Sequence, residues 1–478
     1  MSENIQKNPL PCGGGLGMGE TQSIKQGYKQ TSLGILPQEW EVVRLGDICE
    51  FLKGKGISKD DLADNGIPCI RYGELYTIYD EIIQKVVSRT NLDSGELIFS
   101  KANDIVLPTS GETAIDICKA SCVMIDNVAL GGDLNVLRSK QNGAFLSYYI
   151  NHMAKYDIAK LAQGVSIVHL YASELKSLQI PLPPLAEQEK IAQILSVWDK
   201  GISVLKSLIE AKTKRKKALM QRLLTPPTHP LTPSAREGEQ KSHHDTKAPP
   251  LAGGVGVGYS HIENNRNDDK VLDCHDLTAS NLAMTEKNSK AKQSLRFAEF
   301  TDKWQEMRLG DICEITTGSL NANAMVESGK FAFFTCAREV YAIDNYAFDT
   351  EALLVSGNGA NVGYIHYYKG KFNAYQRTYV LDKFSCDILF VKFFLDKYLK
   401  KRIAQEKNEG NTPYIVLSTL QDMKIVLPNS LAEQKKIAQV LSACDKEIEL
   451  LKSKFQCLKT QKKGLMQRLL NGEVRVKC

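Results

Sequence analysis

Two segments of this chain carry apolar residues at steps that alternate between four and three positions. They are Leu185–Thr225 and Leu431–Asn471, and neither contains a proline. Apolar residues every 3.5 positions on average form the contact stripe, or seam, of a left-handed coiled coil. Each segment is therefore predicted to be one helix of about 60 Å, at about 1.5 Å per residue. The predicted seam positions are Ile191, Leu195, Trp198, Ile202, Leu205, Ile209, Leu219, Leu223, Ile437, Leu441, Cys444, Ile448, Leu451, Phe455, Leu458, Leu465 and Leu469.

The two segments are copies of each other. They align without a gap at an offset of 246 (431 − 185), and 24 of the 41 aligned positions are identical. The seam frame also passes through three lysines, Lys212, Lys216 and Lys462. An isolated helix of this kind has no core of its own, so its stripe needs a partner. We expect the two copies to pair with each other; the alternative is that each stripe packs on its own neighbouring domain.

A second repeated feature precedes each helix. The seven residues Arg44–Glu50 (RLGDICE) return as Arg308–Glu314, each time four residues after a tryptophan, Trp40 or Trp304. The repeat thus has a shared start as well as a shared end. Between start and end the two halves differ in sequence, so the chain is organised as domain, helix, linker, domain, helix.

Within each half, short apolar runs alternate with glycine and asparagine turns. Examples are DIVLPTSG in the first half and ALLVSGNGANVGYIHYY in the second, and both are typical of strands. Helical patterns lie between them, at Phe145–Ala162 and Ile388–Gln405. The predicted fold class is α+β: two mixed α/β domains, mostly antiparallel, separated by the two long helices in a pseudo-twofold arrangement.

The composition places the domain boundaries. Residues 226–294 are rich in Pro, Gly and Ser or polar, and have little apolar surface to bury. The predicted divisions are a flexible leader (1–36), a first domain (37–184), a first long helix (185–225), a disordered linker (226–294), a second domain (295–430), a second long helix (431–471) and a tail (472–478).

Composition and charge narrow the class of protein. Hydrophobic residues make up 43% and charged residues 24%, as in a globular protein, and no run of eighteen apolar residues suggests a membrane span. The first residues lack the apolar stretch of a secretory signal, so a cytoplasmic location and free thiols for the twelve cysteines are expected. No cysteine or histidine spacing predicts a metal site.

The positive charge is concentrated on the repeated helices. The net charge is +6, and each copy carries nine basic residues against four acidic ones, so the remainder of the chain is slightly acidic. A solvated helix face is the simpler interpretation of the cluster Lys212–Lys217; a stripe facing phosphates is the alternative.

A duplicated frame that carries two dissimilar domains suits a reader of duplex DNA, because a rigid separator can hold two half-sites at a fixed spacing. The layout resembles the specificity subunit of type I restriction–modification systems. The resemblance rests on the helix starts LAEQEKIAQIL and LAEQKKIAQVL, the helix ends KKALMQRLLT and KKGLMQRLLN, and the RLGDICE openings. Inside the domains GIPCIRYGEL, DIVLPTSGET and LLVSGNGANVGYIHYY add to it; together these cover roughly residues 37–225 and 300–471.

That resemblance implies two target-recognition domains, each reading half of an asymmetric bipartite site in double-stranded DNA. It implies that the helices pair as an antiparallel coiled coil and set the unread spacer. It also implies docking of two methyltransferase (M) subunits and of restriction/translocase (R) subunits. The chain itself would be non-catalytic, and S-adenosylmethionine, ATP and magnesium would be bound by those partners.

Residue type and position in loops indicate the candidate DNA contacts. Arg or Lys reads guanine and Asn or Gln reads adenine in the major groove, and glycine loops bring backbone close to phosphate. The alternative for the asparagines is that they only make turns. The candidates are Lys53, Lys55, Arg71, Tyr72, Lys101, Thr109 and Ser110 in the first domain, and Asn321, Asn323, Arg338, Asn358, Asn361 and Arg377 in the second.

Two other classes of function, an enzyme and a scaffold, stay open at this point. A stand-alone DNA methyltransferase could use Asn411–Tyr414 (NTPY), which resembles an NPPY motif but lacks one proline, and a nuclease could use Glu174 and Lys176 with Asp157. No strand–glycine–helix cofactor loop precedes the first, and the second pattern is common by chance. The remaining possibility is a coiled-coil scaffold that ignores DNA.

Overall fold

The computed structural model describes residues 24–164, 167–227, 294–406 and 413–477. The chain divides into two compact units, the first made of Met1–Lys206 with Lys454–Cys478, and the second of Ser207–Ser453. Most of the 226–294 linker, with its predicted disorder, therefore lies outside the described residues, as does Asn411.

The first unit is rich in short strands. They are β1 (Tyr28–Thr31), β2 (Gly34–Pro37), β3 (Glu41–Arg44), β4 (Cys49–Lys53), β5 (Leu62–Ile70), β6 (Ile82–Ile83), β7 (Ser88–Thr90), β8 (Ile98–Phe99), β9 (Asp104–Pro108), β10 (Ser110–Gly111), β11 (Ser121–Val123), β12 (Ala129–Leu130), β13 (Leu134–Ser139), β14 (Val168–His169) and β15 (Gln179–Leu182). The main sheet has the order β4-β13-β9-β11-β6, and a second sheet has the order β7-β5-β12-β8. Pairing is antiparallel except at β6–β11 and β5–β12, in line with the predicted mostly antiparallel strands.

The helices of this unit pack on the main sheet and continue into the repeat. They are α1 (Leu45–Ile48), α2 (Tyr72–Thr77), α3 (Gly143–His152), α4 (Lys155–Leu161), α5 (Ala172–Ser177) and the first part of α6 (Leu185–Leu223), with 3₁₀ turns at Ser94–Glu96 and Asp116–Cys118. The predicted helix Phe145–Ala162 is thus two helices, with a break at Met153–Ala154. Ile191 and Leu195 of α6 share one core with the domain and with Met466 and Leu469.

The second unit has a larger, simpler sheet. Its strands are β16 (Trp304–Arg308), β17 (Glu314–Thr317), β18 (Phe331–Phe334), β19 (Tyr341–Ile343), β20 (Phe348–Ser356), β21 (Ile365–Ala374), β22 (Thr378–Asp382) and β23 (Lys424–Pro428). The main sheet has the order β17-β22-β20-β21-β18-β19, antiparallel except at β18–β21. The helices are α7 (Leu309–Ile312), α8 (Ile388–Gln405), α9 (Leu417–Gln421) and α10 (Leu431–Leu470), with a 3₁₀ turn at Ala322–Ala324. The predicted helix Ile388–Gln405 is confirmed.

The repeated sequences form one repeated frame. In the first unit β3 pairs antiparallel with β15, and in the second β16 pairs antiparallel with β23. The backbone N–H of Leu45 donates to Leu178 O at 2.9 Å, and Leu309 makes the same bond to Met423 O at 2.9 Å. The RLGDICE segment therefore recurs because it closes each domain against the strand that leads into the long helix.

The two predicted long helices are present as α6 and α10. Every predicted seam side chain is buried or half-buried, whereas Val197, Val204 and Leu450 between them are 62%, 69% and 72% exposed. Ion pairs connect the helices within each unit: Lys462 Nζ lies 2.5 Å from Asp199 Oδ1 in the first, and Lys216 Nζ lies 2.5 Å from Asp445 Oδ1 in the second. Continuous pairing of the seam stays a prediction.

The prediction of a flexible leader over residues 1–36 is wrong for its last part. Strands β1 and β2 form an antiparallel hairpin in which Thr31 and Gly34 flank the turn. Leu36 is buried in the first core, and the Tyr28 hydroxyl donates to Gly472 O at 3.0 Å. The segment is ordered because it packs on residues from the far end of the sequence, which no local pattern reveals. Residues 1–23 lie outside the described residues.

Among the residues described, no helix combines the length and apolar character that crossing a membrane would require.

Candidate nucleic-acid interface

A tight basic loop follows β4 in the first unit. The backbone N–H of Gly54 donates to Leu134 O and that of Lys55 donates to Leu130 O, both at 3.0 Å. A Cβ on Gly54 would lie 1.9 Å from Gly131 O, so only glycine fits at this close approach of two backbones. The flanking Lys53 and Lys55 are exposed, and no described residue pairs with either ammonium. The loop thus presents two unpaired cations on a fixed backbone.

Arg71 and Tyr72 lie beside this loop. The Gly131 N–H donates to Ile70 O at 2.9 Å, which brings the end of β5 next to the basic loop. The Arg71 guanidinium, however, donates through Nε and Nη2 to Glu74 Oε1 at 3.3 Å, and Glu74 is only 4% exposed. Arg71 is therefore held as part of the start of α2. Tyr72 is 40% exposed and makes an edge contact with Tyr76.

Thr109 and Ser110 reach the same end of the main sheet. Asn135 of β13 pairs with both Lys53 of β4 and Leu107 of β9, so the end of β9 lies beside the basic loop. Ser110 pairs with His169 in the β10–β14 ladder. Lys101 lies before the opposite end of β9. The two ends of this strand are about 13 Å apart, at about 3.3 Å per residue. The structure therefore groups Lys53, Lys55, Arg71, Tyr72, Thr109 and Ser110, and separates Lys101 from them.

A cavity of about 780 Å³ opens next to this group, and Tyr72 and Ser110 line it. Sequence reasoning missed its other polar and aromatic walls, among them Tyr76, Lys119, His152 and Lys155. These residues come from α2, a 3₁₀ turn and α3–α4, and no motif links them in sequence. Aromatic faces beside cations can stack bases and hold phosphates, so this wall extends the candidate interface.

Glu81 supplies the buried charge of that cavity. His152 Nε2 lies 3.1 Å from Glu81 Oε1. Burial alone would raise the pKa of Glu81, but the hydrogen bond from His152 and the positive charges of Lys462 and Lys119 lower it from 4.5 to about 2. The carboxylate therefore stays ionised in the folded unit.

We expect this carboxylate to give the first unit acid sensitivity. Because its pKa is lower in the folded state, its stabilisation is complete above about pH 4.5 and is lost as the pH falls toward 2. The loss is about 3 kcal/mol, at about 1.4 kcal/mol per pH unit. Urea denaturation at several pH values should show a shallower acid slope for Glu81→Gln than for the parent. Glu112→Gln, which changes an exposed carboxyl on the same cavity, should keep the parent slope; equal slopes for both variants would contradict the assignment.

In the second unit, four loops are bonded into one surface. The N–H of Gly357 donates to Arg377 O at 2.8 Å, and the N–H of Ile415 donates to Gly357 O at 2.9 Å. Asn361 Nδ2 donates to Cys336 O at 3.1 Å, and the Cys336 thiol donates to Arg377 O at 3.3 Å. The loops after β18 and β20 and the β21–β22 connection therefore meet at the segment before α9.

The six predicted residues of this domain are placed on or beside that surface. Asn321 accepts from Gln376 Nε2 at 3.2 Å, and Asn323 lies in the adjoining 3₁₀ turn. Asn358 forms a backbone bridge with Tyr414. The Arg338 guanidinium lies 5.6 Å from the centre of the Tyr364 ring. The side chains of Asn321 and Asn361 thus connect neighbouring loops, whereas Arg338 and Arg377 are exposed.

Arg377 lies on the accessible side of this surface. It is exposed, and no described residue bonds its guanidinium. Together with Gln376, Tyr379 and Ile415 it lines a polar cavity of about 290 Å³. Gln376 was not predicted, although it adjoins Arg377 in sequence and carries the side chain that suits adenine. Gln376 and Arg377 are therefore the candidate base-contacting pair of this surface.

Two residues of the nuclease alternative, Asp157 and Lys176, contact other side chains. Asn411 lies outside the described residues. Asp157 pairs with Lys160 at 2.8 Å within α4, and Lys176 Nζ lies 5.6 Å from the centre of the Phe51 ring. Among the described residues, no group of three or more His, Cys, Asp or Glu side chains is placed to hold a metal ion.

Comparison with known proteins gives a consistent result. The family described as type I restriction modification DNA specificity domain matches residues 37–212 and 301–460. The EcoDI specificity subunit of Escherichia coli is 38% identical over 176 residues, which span 36% of this chain and 38% of that subunit. The MjaVIII specificity subunit of Methanocaldococcus jannaschii is 24% identical across 92% of this chain and 94% of its own length. The crystal structure of a type I restriction-modification S subunit from M. genitalium has the same fold, with a TM-score of 0.55, 18% identity, and coverage of 90% and 96%.

Proposed function

Since this chain belongs to the type I restriction modification DNA specificity family, we propose that it reads a bipartite, asymmetric DNA site through two recognition domains and is itself non-catalytic. The observation that supports the proposal is one repeated frame that carries two unlike candidate surfaces. The β3–β15 and β16–β23 pairs and the long helices recur. The surface around Lys53 and Ser110 and the surface around Arg377 share no residue pattern, as two different half-sites require.

The long helices would set the unread spacer by pairing as an antiparallel coiled coil. Two ion pairs support this: Asp199–Lys462 in the first unit and Asp445–Lys216 in the second. Asp199 and Asp445 occupy equivalent positions of the repeat, as do Lys216 and Lys462. Since the same pair forms twice with the copies exchanged, one antiparallel register accounts for both. Polar groups within a seam are a known means of fixing register.

The remaining functions would belong to partner subunits. Two methyltransferase subunits and restriction/translocase subunits would dock on this chain in the cytoplasm. S-adenosylmethionine, ATP and magnesium would be bound and used by those partners. The repeated sequences at the two helix starts would offer two equivalent surfaces, one for each of two identical methyltransferase subunits.

Arg377→Ala should relax specificity in one half-site. A guanidinium that reads a base contributes about 1–3 kcal/mol, or about 5- to 150-fold in affinity, at one position. Binding should be measured on the cognate site and on its single-base variants. Arg377→Lys keeps the charge but loses the planar fork, so it should lose part of the discrimination while keeping the affinity that comes from charge. Full discrimination in Arg377→Ala would show that the arginine contacts phosphate only.

Lys53→Ala should weaken binding to all sequences alike. A lysine that neutralises one phosphate lowers the slope of log K against log salt by about 1. Affinity for cognate and unrelated duplexes should be measured between about 50 and 200 mM salt. Lys59→Ala, an exposed lysine beyond the basic loop, is the matched control. An unchanged salt slope for Lys53→Ala would remove this residue from the interface.

The decisive experiment is methylation mapping. This chain should be expressed with the methyltransferase encoded beside it, and methylated adenines should be mapped on the host genome. We expect a split motif of two short, unlike halves around a fixed gap, and replacement of residues 300–430 by those of a relative should change one half only. Absence of both chain-dependent methylation and a stable complex would overturn the proposal and favour a coiled-coil scaffold.

A further inference from the structure

In the first unit, a buried glutamate at the start of α6 binds two other segments of the chain. Glu187 is 2% exposed. Arg475 donates to it through Nε and Nη2, at 2.7 Å to Oε1 and 2.9 Å to Oε2. The Trp40 indole donates to Oε2 at 3.0 Å. The hydrogen bonds that Arg475 donates to Glu187 and Glu39 raise the pKa of its guanidinium, so Arg475 stays charged. One carboxylate thereby connects the start of α6, the residue before β3 and the segment after α10.

The second unit repeats this arrangement. Glu433, at the start of α10, is fully buried. Arg296 donates to it through Nε at 2.9 Å and through Nη2 at 2.8 Å, and the Trp304 indole donates at 3.3 Å. The glutamates and tryptophans belong to the sequence repeat. The arginines do not, because Arg475 closely follows the second helix whereas Arg296 is separated from the first by the long linker.

The two arginines are nevertheless held in the same way. The N–H of Val474 donates to Arg468 O at 3.0 Å, and the N–H of Leu295 donates to Arg222 O at 3.1 Å. Arg222 and Arg468 are equivalent positions of the repeat. The neighbouring Val474 packs on the first core and Leu295 on the second. Two unrelated sequences therefore form the same strap, here defined as residues 295–297 and 474–476.

We propose that Arg475 and Arg296 are positioning residues for DNA reading. Each holds its recognition domain in one orientation on its long helix, and so fixes where its reading surface meets the DNA relative to the other. A bidentate arginine–carboxylate pair suits this because its planar geometry constrains rotation as well as distance. This inference assigns a role to the segment after α10, and it rests on the proposed bipartite site.

The test is a spacer profile. The full chain, co-expressed with its methyltransferase partner, should be assayed for binding to duplexes that carry the mapped half-sites at the native spacing and at one or two base pairs more or less. The parent should prefer the native spacing sharply. Arg475→Lys keeps the charge but cannot make the planar pair, and we expect its preference to fall about tenfold. Arg296→Lys should do the same from the other domain.

Controls separate positioning from general destabilisation. Lys477→Ala alters an exposed lysine next to the strap and should keep the parent profile. A purely structural role for Arg475 would lower affinity at every spacing by one factor and leave the profile unchanged, which would overturn the inference. A parent chain without any spacing preference would instead refute the proposed bipartite function. If Arg475→Lys retains one hydrogen bond and shows the parent profile, Arg475→Ala serves as a second variant. An unchanged spacing profile in both variants would reject the positioning role of Arg475.

Discussion

Lys462→Glu should destabilise the first unit by about 3 kcal/mol or more. The Lys462 side chain is 11% exposed and its ammonium pairs with Asp199, which also accepts the Tyr148 hydroxyl at 2.5 Å. Breaking a buried ion pair from one side costs about 3–5 kcal/mol, because the remaining charge stays in a poorly solvated site. The lower value applies to the loss of the lysine, since Asp199 keeps 33% of its side-chain surface. The introduced carboxylate adds repulsion from Asp199 and from the negative charge of Glu81.

The change is measured by urea denaturation and localised by hydrogen exchange. Amides of α6 and α10 within the first unit should lose protection before those of the second unit. Lys463→Glu makes the same charge change at the next, exposed position and should stay within about 0.5 kcal/mol of the parent. The exchanged pair Asp199→Lys with Lys462→Glu should recover part of the loss; Glu81 remains nearby and prevents full recovery. No recovery at all would contradict a direct pair.

The long helices could be predicted because their signal is local. The seam frame needs only the spacing of apolar residues, and each predicted seam side chain is indeed at least half-buried. The frame also passed through Lys216 and Lys462, where an apolar residue was expected. Their partners, Asp445 and Asp199, lie on the other helix. Which helix faces which is a tertiary choice, and periodicity in one segment carries no information on it.

The two candidate DNA-binding surfaces were predictable only in part. Glycine and asparagine marked the loops correctly, because turn geometry depends on the residues in the turn. Strand register decided the rest: it places Lys53 next to the end of β9 and Lys101 at the other end. Arg71 pairs with Glu74, three residues later. This spacing is visible in the sequence and argues against a free guanidinium at Arg71. Gln376 was not predicted because its position beside Arg377 on this surface depends on four loops that meet only in the folded unit.

The straps are a feature that the sequence repeat does not predict in full. Equivalent glutamates and tryptophans follow from the duplicated sequence, but Arg296 and Arg475 occupy non-equivalent positions. A buried carboxylate must find a cationic or hydrogen-bonding partner, so the physical requirement recurs in both units. In each unit the partner is an arginine from the segment that follows the other long helix in sequence. Sequence alignment alone therefore cannot identify this pair of residues.

Gly54→Val should weaken specific DNA binding about a hundredfold without changing the net charge of the interface. The new Cβ would lie 1.9 Å from Gly131 O and 2.7 Å from Leu130 O, both backbone atoms that cannot rotate away. The basic loop must then move off residues 130–132 and lose the bonds from Gly54 N–H and Lys55 N–H. Overpacking of this kind costs about 1–3 kcal/mol. Because Lys53 and Lys55 are displaced together, we expect about a hundredfold loss in affinity, or about 2.7 kcal/mol.

The matched control is Gly56→Ala, two residues further along the same loop. A Cβ on Gly56 meets no atom within 4 Å, so this variant should bind and fold like the parent. Binding is measured on the cognate duplex, and far-ultraviolet circular dichroism checks that the first unit is folded. Parent-like affinity in folded Gly54→Val would show that the loop does not contact DNA. Equal losses in both variants would show that the loop needs flexibility rather than its fixed position, because only Gly54 is sterically confined.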